Sequence, residues 1–201
     1  MNKEDGKKLS DVLDLAKIDI VNKPIADSHG LPNECYMSDE YTKIERKKLF
    51  EEKWSVIGVA SSTPNPGDIR PFDLLDIPLI VLRDKHNKIR VFHNVCSHRG
   101  YKLIHESCAL KNVLRCPYHS WSYDFEGNLI ATPHLGGINK HEHIDFDKSK
   151  SKLKEVQSTV WLDLIMVNIS GNELPFEEYI RPLEDRWSEF WTKEEQVMIS
   201  H

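Results

Sequence analysis

Two turns of this chain each pair a thiol with an imidazole: Cys96-Ser97-His98 and, after 17 intervening residues, Cys116-Pro117-Tyr118-His119. Each follows a short run of β-type residues, 89–95 before the first and 112–115 before the second, so the motifs sit at hairpin tips able to face one another. With 4 Cys and 10 His in 201 residues, any one Cys–His spacing is expected roughly 0.2 times by chance, and both spacings together roughly once in a few hundred chains. The chain must fold so that these two tips meet.

Two Cys and two His admit a mononuclear tetrahedral zinc site. They equally admit a binuclear iron-sulfur cluster with both thiolates on one iron and both imidazoles on the other. Common zinc modules pair like ligands along the sequence, Cys with Cys and His with His. Here every loop donates one of each, so both loops span both metals, which favours the cluster.

The surrounding pattern is β-rich. Runs at 54–60, 77–83, 89–95, 112–115, 121–125 and 129–132 are separated by turn residues such as Pro64-Asn65-Pro66-Gly67-Asp68 and Glu126-Gly127-Asn128. The turn at 84–88 joins two of them as a hairpin, 121–125 pairs with 129–132, and the apolar stretch 160–169 reads as one buried strand after 153–157. Short strands at this spacing predict a mainly β antiparallel sandwich or barrel. Helices flank it: a short one that Ser10 caps, one from Ser38 to about Lys53, and one opened by Pro175 that runs through Trp187 to Trp191 with Pro182 inside. The expected division is a helical extension at 1–52, the cluster domain at 53–170 and a helical segment at 171–201.

Charge and hydropathy exclude several classes. A net charge of -5 with scattered basic residues does not form the positive surface that a nucleic-acid partner needs. Mean hydropathy is -0.51, no apolar run approaches the ~20 residues that cross a bilayer, and the first twenty residues lack a signal-peptide core. A cytoplasmic chain with no membrane partner is expected. Four dispersed cysteines do not make a disulfide framework, so they are thiols or ligands.

With its flanks, Cys96-Ser97-His98-Arg99-Gly100 with Cys116-Pro117-Tyr118-His119-Ser120-Trp121 resembles the Rieske iron-sulfur signature, in the form carried by the large (alpha) subunits of Rieske non-haem iron oxygenases. The resemblance covers about residues 36–190 and implies a Rieske-type antiparallel β-sandwich with one [2Fe-2S] cluster. Cys96 and Cys116 would hold the inner iron. His98 and His119 would hold the outer iron through Nδ1, with their Nε2 edges toward solvent. Zero net cluster charge when oxidised and -1 when reduced makes a tunable carrier, with a higher potential than a four-thiolate site gives.

Respiratory Rieske proteins add an inter-loop disulfide and Ser and Tyr hydroxyls on the cluster sulfurs. The matching positions here are Tyr101 and Tyr118 for the cysteines and Trp121 for the Ser, while Tyr123 keeps its hydroxyl. Fewer donors imply a potential toward the lower end of the Rieske span, on the order of -150 mV.

By the same resemblance, electrons arrive from a ferredoxin or flavin reductase. They leave for a mononuclear Fe(II) in a catalytic domain, of a neighbouring subunit in a homo-oligomer, that hydroxylates or oxidatively demethylates a small organic substrate. That iron's signature places an acidic residue or Asn three positions before its first His. No His in this chain has one there, so the chain is expected to transfer electrons and to lack the oxygen-activating residues, with no catalytic residue of its own. A free-standing ferredoxin-type carrier and a structural zinc domain are the competing readings. Arg99 and Trp121 are candidates for docking or cluster shielding. Cys35 and Cys108 are expected to be small buried residues, His93 structural, and His141-Glu142-His143 with Asp145 and Asp147 a weaker second metal candidate.

Overall fold

The computed structural model describes residues 8–190. Strands β1 (Ser55–Val59), β2 (Asp68–Leu74), β3 (Ile77–Arg83), β4 (Ile89–His93) and β5 (Cys108–Ala109) join β9 (Glu155–Trp161) and β10 (Leu164–Asn168) in one antiparallel sheet of order β1-β10-β9-β4-β3-β2-β5. Between them in sequence, β6 (Leu114–Arg115), β7 (Ser122–Tyr123) and β8 (Leu129–Ala131) form a small second sheet. The chain is mainly β, with the two-sheet antiparallel arrangement expected.

The long sheet is buried on both faces near its middle. From β3, Ile80 and Leu82 join Ile69, Phe92 and the small sheet's Leu114, Tyr123 and Leu129 in one core. Leu79 and Val81 point the other way, into a second core with Ile57, Val91, Val156 and Ile165. Burying such side chains contributes about 1.5–3 kcal/mol each. Cys96 and Cys116 lie in the first core.

Two hairpin turns are near copies. Asp84 Oδ1 accepts from the N–H groups of His86 and Lys88, and Asp124 Oδ1 accepts from those of Glu126 and Asn128. In each, the fourth residue is left-handed, Asn87 at φ 65° and Gly127 at φ 81°. At Gly127 a Cβ would come within 2.6 Å of the Phe92 ring, so only glycine fits.

Several elements differ from the sequence expectation. The run 160–169 is not one strand: Leu162 (φ 52°) and Asp163 (φ 68°) make a two-residue hairpin between β9 and β10. Asp163 is tied down there by the N–H and hydroxyl of Ser61, 2.8 and 2.6 Å away. Strand β2 has no counterpart in the sequence expectation, and it holds Pro71 in its middle. Its second neighbour, β5, reaches only Asp68 and Ile69, so Pro71 lies where that edge is unpaired.

On the N-terminal side, α1 (Leu15–Val21) is capped by Asp14, not Ser10, through the Ala16 N–H. A one-turn α2 (Glu34–Met37) precedes α3 (Asp39–Glu45), which Ser38 caps through the Tyr41 N–H before it widens into a π-helical turn at Arg46–Glu51. Helix α4 (Phe176–Trp187) contains Pro182 and packs Phe176 and Ile180 on Trp54 and Met166. Beyond it Ser188–Phe190 tighten into a 3-10 turn, and Trp191, the predicted end, lies outside the described residues.

Candidate metal centre

Asn94 launches the first loop. It is fully buried at the end of β4, its Oδ1 accepts from the N–H groups of Leu103 and Ile104, and its Nδ2 donates to the Ile104 carbonyl. These three bonds close residues 95–104 into a rigid bight. Sequence reading passed over Asn94, although an Asn directly after an apolar strand is a recognisable turn former.

The two loops then fold alike. The Cys96 N–H donates to the Tyr101 carbonyl and the Gly100 N–H to the Cys96 carbonyl; Cys116, Trp121 and Ser120 repeat the pattern, all four bonds being 2.8–2.9 Å. Gly100 (φ 69°) and Ser120 (φ 59°) hold the same left-handed position. Ser120 adopts it without glycine's freedom, a local cost that the paired bonds offset.

This repeat brings together all four residues singled out from the sequence. Cys96 and Cys116 are buried, unbridged thiols of one hydrophobic core, and Cys96 helps to raise the Cys116 thiol. The His98 and His119 rings meet at 4.7 Å between centroids and 74° between planes. The donors thus stand as a sulfur pair and an imidazole pair. Among the described residues, no three His, Cys, Asp or Glu side chains are grouped about a point that one ion could occupy.

The surroundings set the chemistry of each group. Trp121 is buried and stacks on His98 at 4.4 Å and 10°, which fixes the ring plane. Burial, with His119 and Arg99 adding to it, holds the His98 imidazole below its ordinary pKa and so in the neutral form that binds a metal. Its Nδ1 is buried with no hydrogen-bond partner. Burial pushes the Cys116 thiol up, opposed by the N–H groups of Tyr118 and His119 aimed at its sulfur. The Tyr123 hydroxyl lies 3.2 Å from the Cys96 sulfur, and burial holds that phenol in its protonated form.

An unpartnered nitrogen in a buried site is costly unless something binds it. The loops that carry it also carry two buried, unbridged thiols and a second imidazole, whose ring stands 4.7 Å away. The residues present therefore fit a [2Fe-2S] group.

Other sequence candidates lie elsewhere. Cys108 is exposed on the edge strand β5 rather than buried, since only two residues of that strand pair with β2. Cys35 is half-buried in α2. His141 and His143 each spend Nδ1 accepting a backbone N–H, from His134 and Asp145. His93 ends β4 half-buried, its Nε2 also without a partner. Arg99 is exposed beside the site.

A small β domain with two like-folded loops, each offering a Cys and a His from its tip, defines a class of iron-sulfur protein. Residues 53–142 match the Rieske [2Fe-2S] domain family, and the chain is similar to the N-terminal part of Rieske oxygenase alpha subunits. It is 31% identical over 157 residues to the 2-aminobenzenesulfonate 2,3-dioxygenase subunit alpha of Alcaligenes sp, a match covering 78% of this chain and 39% of that one. To the glycine betaine monooxygenase oxygenase subunit of Chromohalobacter salexigens it is 30% identical, covering 78% and 34%.

Among solved structures, the quaternary ammonium Rieske monooxygenase CntA superposes with a TM-score of 0.71 at 24% identity, covering 81% of this chain and 46% of that one. At that identity the likeness is one of fold. Naphthalene 1,2-dioxygenase from Rhodococcus sp. gives 0.64 at 27% identity, covering 72% and 32%. The chain spans about a third to two-fifths of the length of the curated relatives it matches. Among the described residues, no helix is long and apolar enough to cross a membrane.

Proposed function

We propose that Cys96, His98, Cys116 and His119 hold the cluster, the thiolates on one iron and the imidazoles on the other. The observation that carries this is the buried, partnerless Nδ1 of His98, on a pair of loops that also carries two buried, unbridged thiols and the His119 ring 4.7 Å away. The grouping of sulfur with sulfur and ring with ring supports it and counts against a tetrahedral zinc site. When bound, the group supplies a one-electron redox couple.

The chain's own residues do the rest. Trp121 and the neighbouring His119 orient the His98 ring. The N–H groups of Tyr118 and His119 and the Tyr123 hydroxyl supply positive charge to the two sulfurs. The hydrophobic core behind Cys96 and Cys116 excludes water from the inner side.

In this reading residues 53–170 are an electron-transfer domain and residues 1–52 and 171–201 are its flanks. It serves an oxygenase alpha subunit in the cytoplasm. Electrons come from a ferredoxin or flavin reductase and pass to a mononuclear iron in a catalytic domain of a neighbouring subunit, where a small organic substrate is hydroxylated or oxidatively demethylated. The two relatives named above, a dioxygenase subunit and a monooxygenase subunit, support that class of reaction. Helices before and after the sheet favour this over a free-standing ferredoxin-type carrier.

The test is reconstitution of the purified chain with iron and sulfide, followed by metal analysis, visible absorption and electron paramagnetic resonance. Two iron and two acid-labile sulfide per chain with a Rieske spectrum are expected. Colourless protein carrying zinc would sink the assignment.

A further inference from the structure

The Tyr123 hydroxyl has one proton and two acceptors. It lies 3.2 Å from the Cys96 sulfur and 2.9 Å from the Ser97 hydroxyl oxygen. It also accepts the Ser97 N–H at 3.1 Å, which fixes its position without using its proton. The Ser97 hydroxyl in turn donates to the Ser151 carbonyl at 2.8 Å. A carbonyl only accepts, so that bond takes the serine's single proton and leaves its oxygen as an acceptor toward Tyr123.

We propose that Ser97 is a positioning residue that competes with the Cys96 sulfur for the Tyr123 proton and thereby lowers the electron affinity of the cluster. The inference rests on the ligand assignment above. Tyr123 is fully buried and Ser97 is exposed, so the three groups form a hydrogen-bond path from the surface to a ligand sulfur. Ser151 closes the turn at Lys148–Ser151 that leads into β9. The backbone of that turn therefore decides where the serine proton points, and through it how fully the tyrosine proton serves the sulfur.

The sign follows from the charge change. The added electron makes the sulfurs more negative, so a stronger O–H···S bond favours the reduced state. With Ser97→Ala the tyrosine proton keeps only the sulfur as acceptor.

The experiment is voltammetry of the reconstituted full chain at one neutral pH, for wild type, Ser97→Ala, Ser97→Thr, Tyr123→Phe and the Ser97→Ala/Tyr123→Phe double variant. Ser97→Ala is expected to favour reduction by about threefold, a rise of ~30 mV for a one-electron couple. Tyr123→Phe should lower the potential, Ser97→Thr should match wild type, and Ser97→Ala should add nothing in the Phe background. An unmoved or lowered Ser97→Ala potential overturns the inference. So does an undiminished shift in the Phe background, or a Ser97→Ala chain that assembles no cluster, since Ser97 is given no share in holding iron. A wild-type chain without a Rieske spectrum fails the ligand assignment itself, and the inference falls with it.

Discussion

The rings of Tyr101 and Tyr118 face each other at 5.5 Å, one from each metal-centre loop, tilted by 40°. These are the two positions matched to the inter-loop disulfide of respiratory Rieske proteins, so an aromatic contact stands where that covalent bond would be. Both rings are partly exposed. Such a pair contributes about 0.5–1.5 kcal/mol beyond its buried area, against about 2–4 kcal/mol for a disulfide.

The loops should therefore be insensitive to thiol reductants and sensitive to loss of one ring. Bleaching of the visible cluster absorption in excess chelator is expected to run at the same rate with and without dithiothreitol. Tyr101→Ala should speed it several-fold, about what ~1 kcal/mol implies. Acceleration by dithiothreitol in the wild type would show that a disulfide contributes after all.

Cysteine and histidine substitutions should divide cleanly. Cys96→Ser and His119→Ala are expected to abolish the cluster, read as iron, sulfide and absorbance after reconstitution. Cys35→Ser and Cys108→Ser should leave the spectrum unchanged, since one thiol lies in α2 and the other on the edge strand. Loss of signal in either of these would mean the ligand set is wrong.

Asn94 should matter to the apo fold as much as to the centre. Asn94→Ala leaves two N–H groups and one carbonyl of the first loop unpaired in a buried site. About 2–4 kcal/mol of destabilisation is expected. Urea unfolding of the metal-free chain checks it, and a midpoint equal to wild type would refute it.

Acid should weaken the β3–β4 hairpin. Burial alone would raise the Asp84 carboxyl, but the Lys88 N–H, the Arg90 guanidinium 2.8 Å away and the His86 N–H outweigh it and hold the group below the ordinary carboxylate range. Its folded pKa is thus depressed, so its stabilising share is complete above the unfolded value, about 3.9. That share is lost as pH falls from there through the folded value. Urea midpoints across this range should drop more steeply for wild type than for Asp84→Asn.

Much of the candidate metal centre was legible because its chemistry is local: two short motifs at strand ends name the four residues proposed as donors. The Ser38 cap, the hairpin at Asp84 and the pairing of β7 with β8 were legible for the same reason. What escaped depends on distant partners. The Leu162–Asp163 turn interrupts an apolar run without glycine or asparagine, and it is held by Ser61, far away in sequence. Strand β2 survives Pro71 only because its neighbour is short. The roles of Asn94 and Ser97 are matters of side-chain geometry that no spacing reports.

Strand β3 sends apolar side chains into both cores, Leu79 and Val81 to one and Ile80 and Leu82 to the other. A slip of one residue would exchange oil for oil, so burial by itself cannot select the alignment of this strand. The Asp84 turn, with its two accepted N–H groups, carries that information instead. Assembly of the domain is thereby governed from the hairpin tip inward, and the first metal-centre loop, which leaves the next strand, inherits its placement from a carboxylate at the opposite end of that strand.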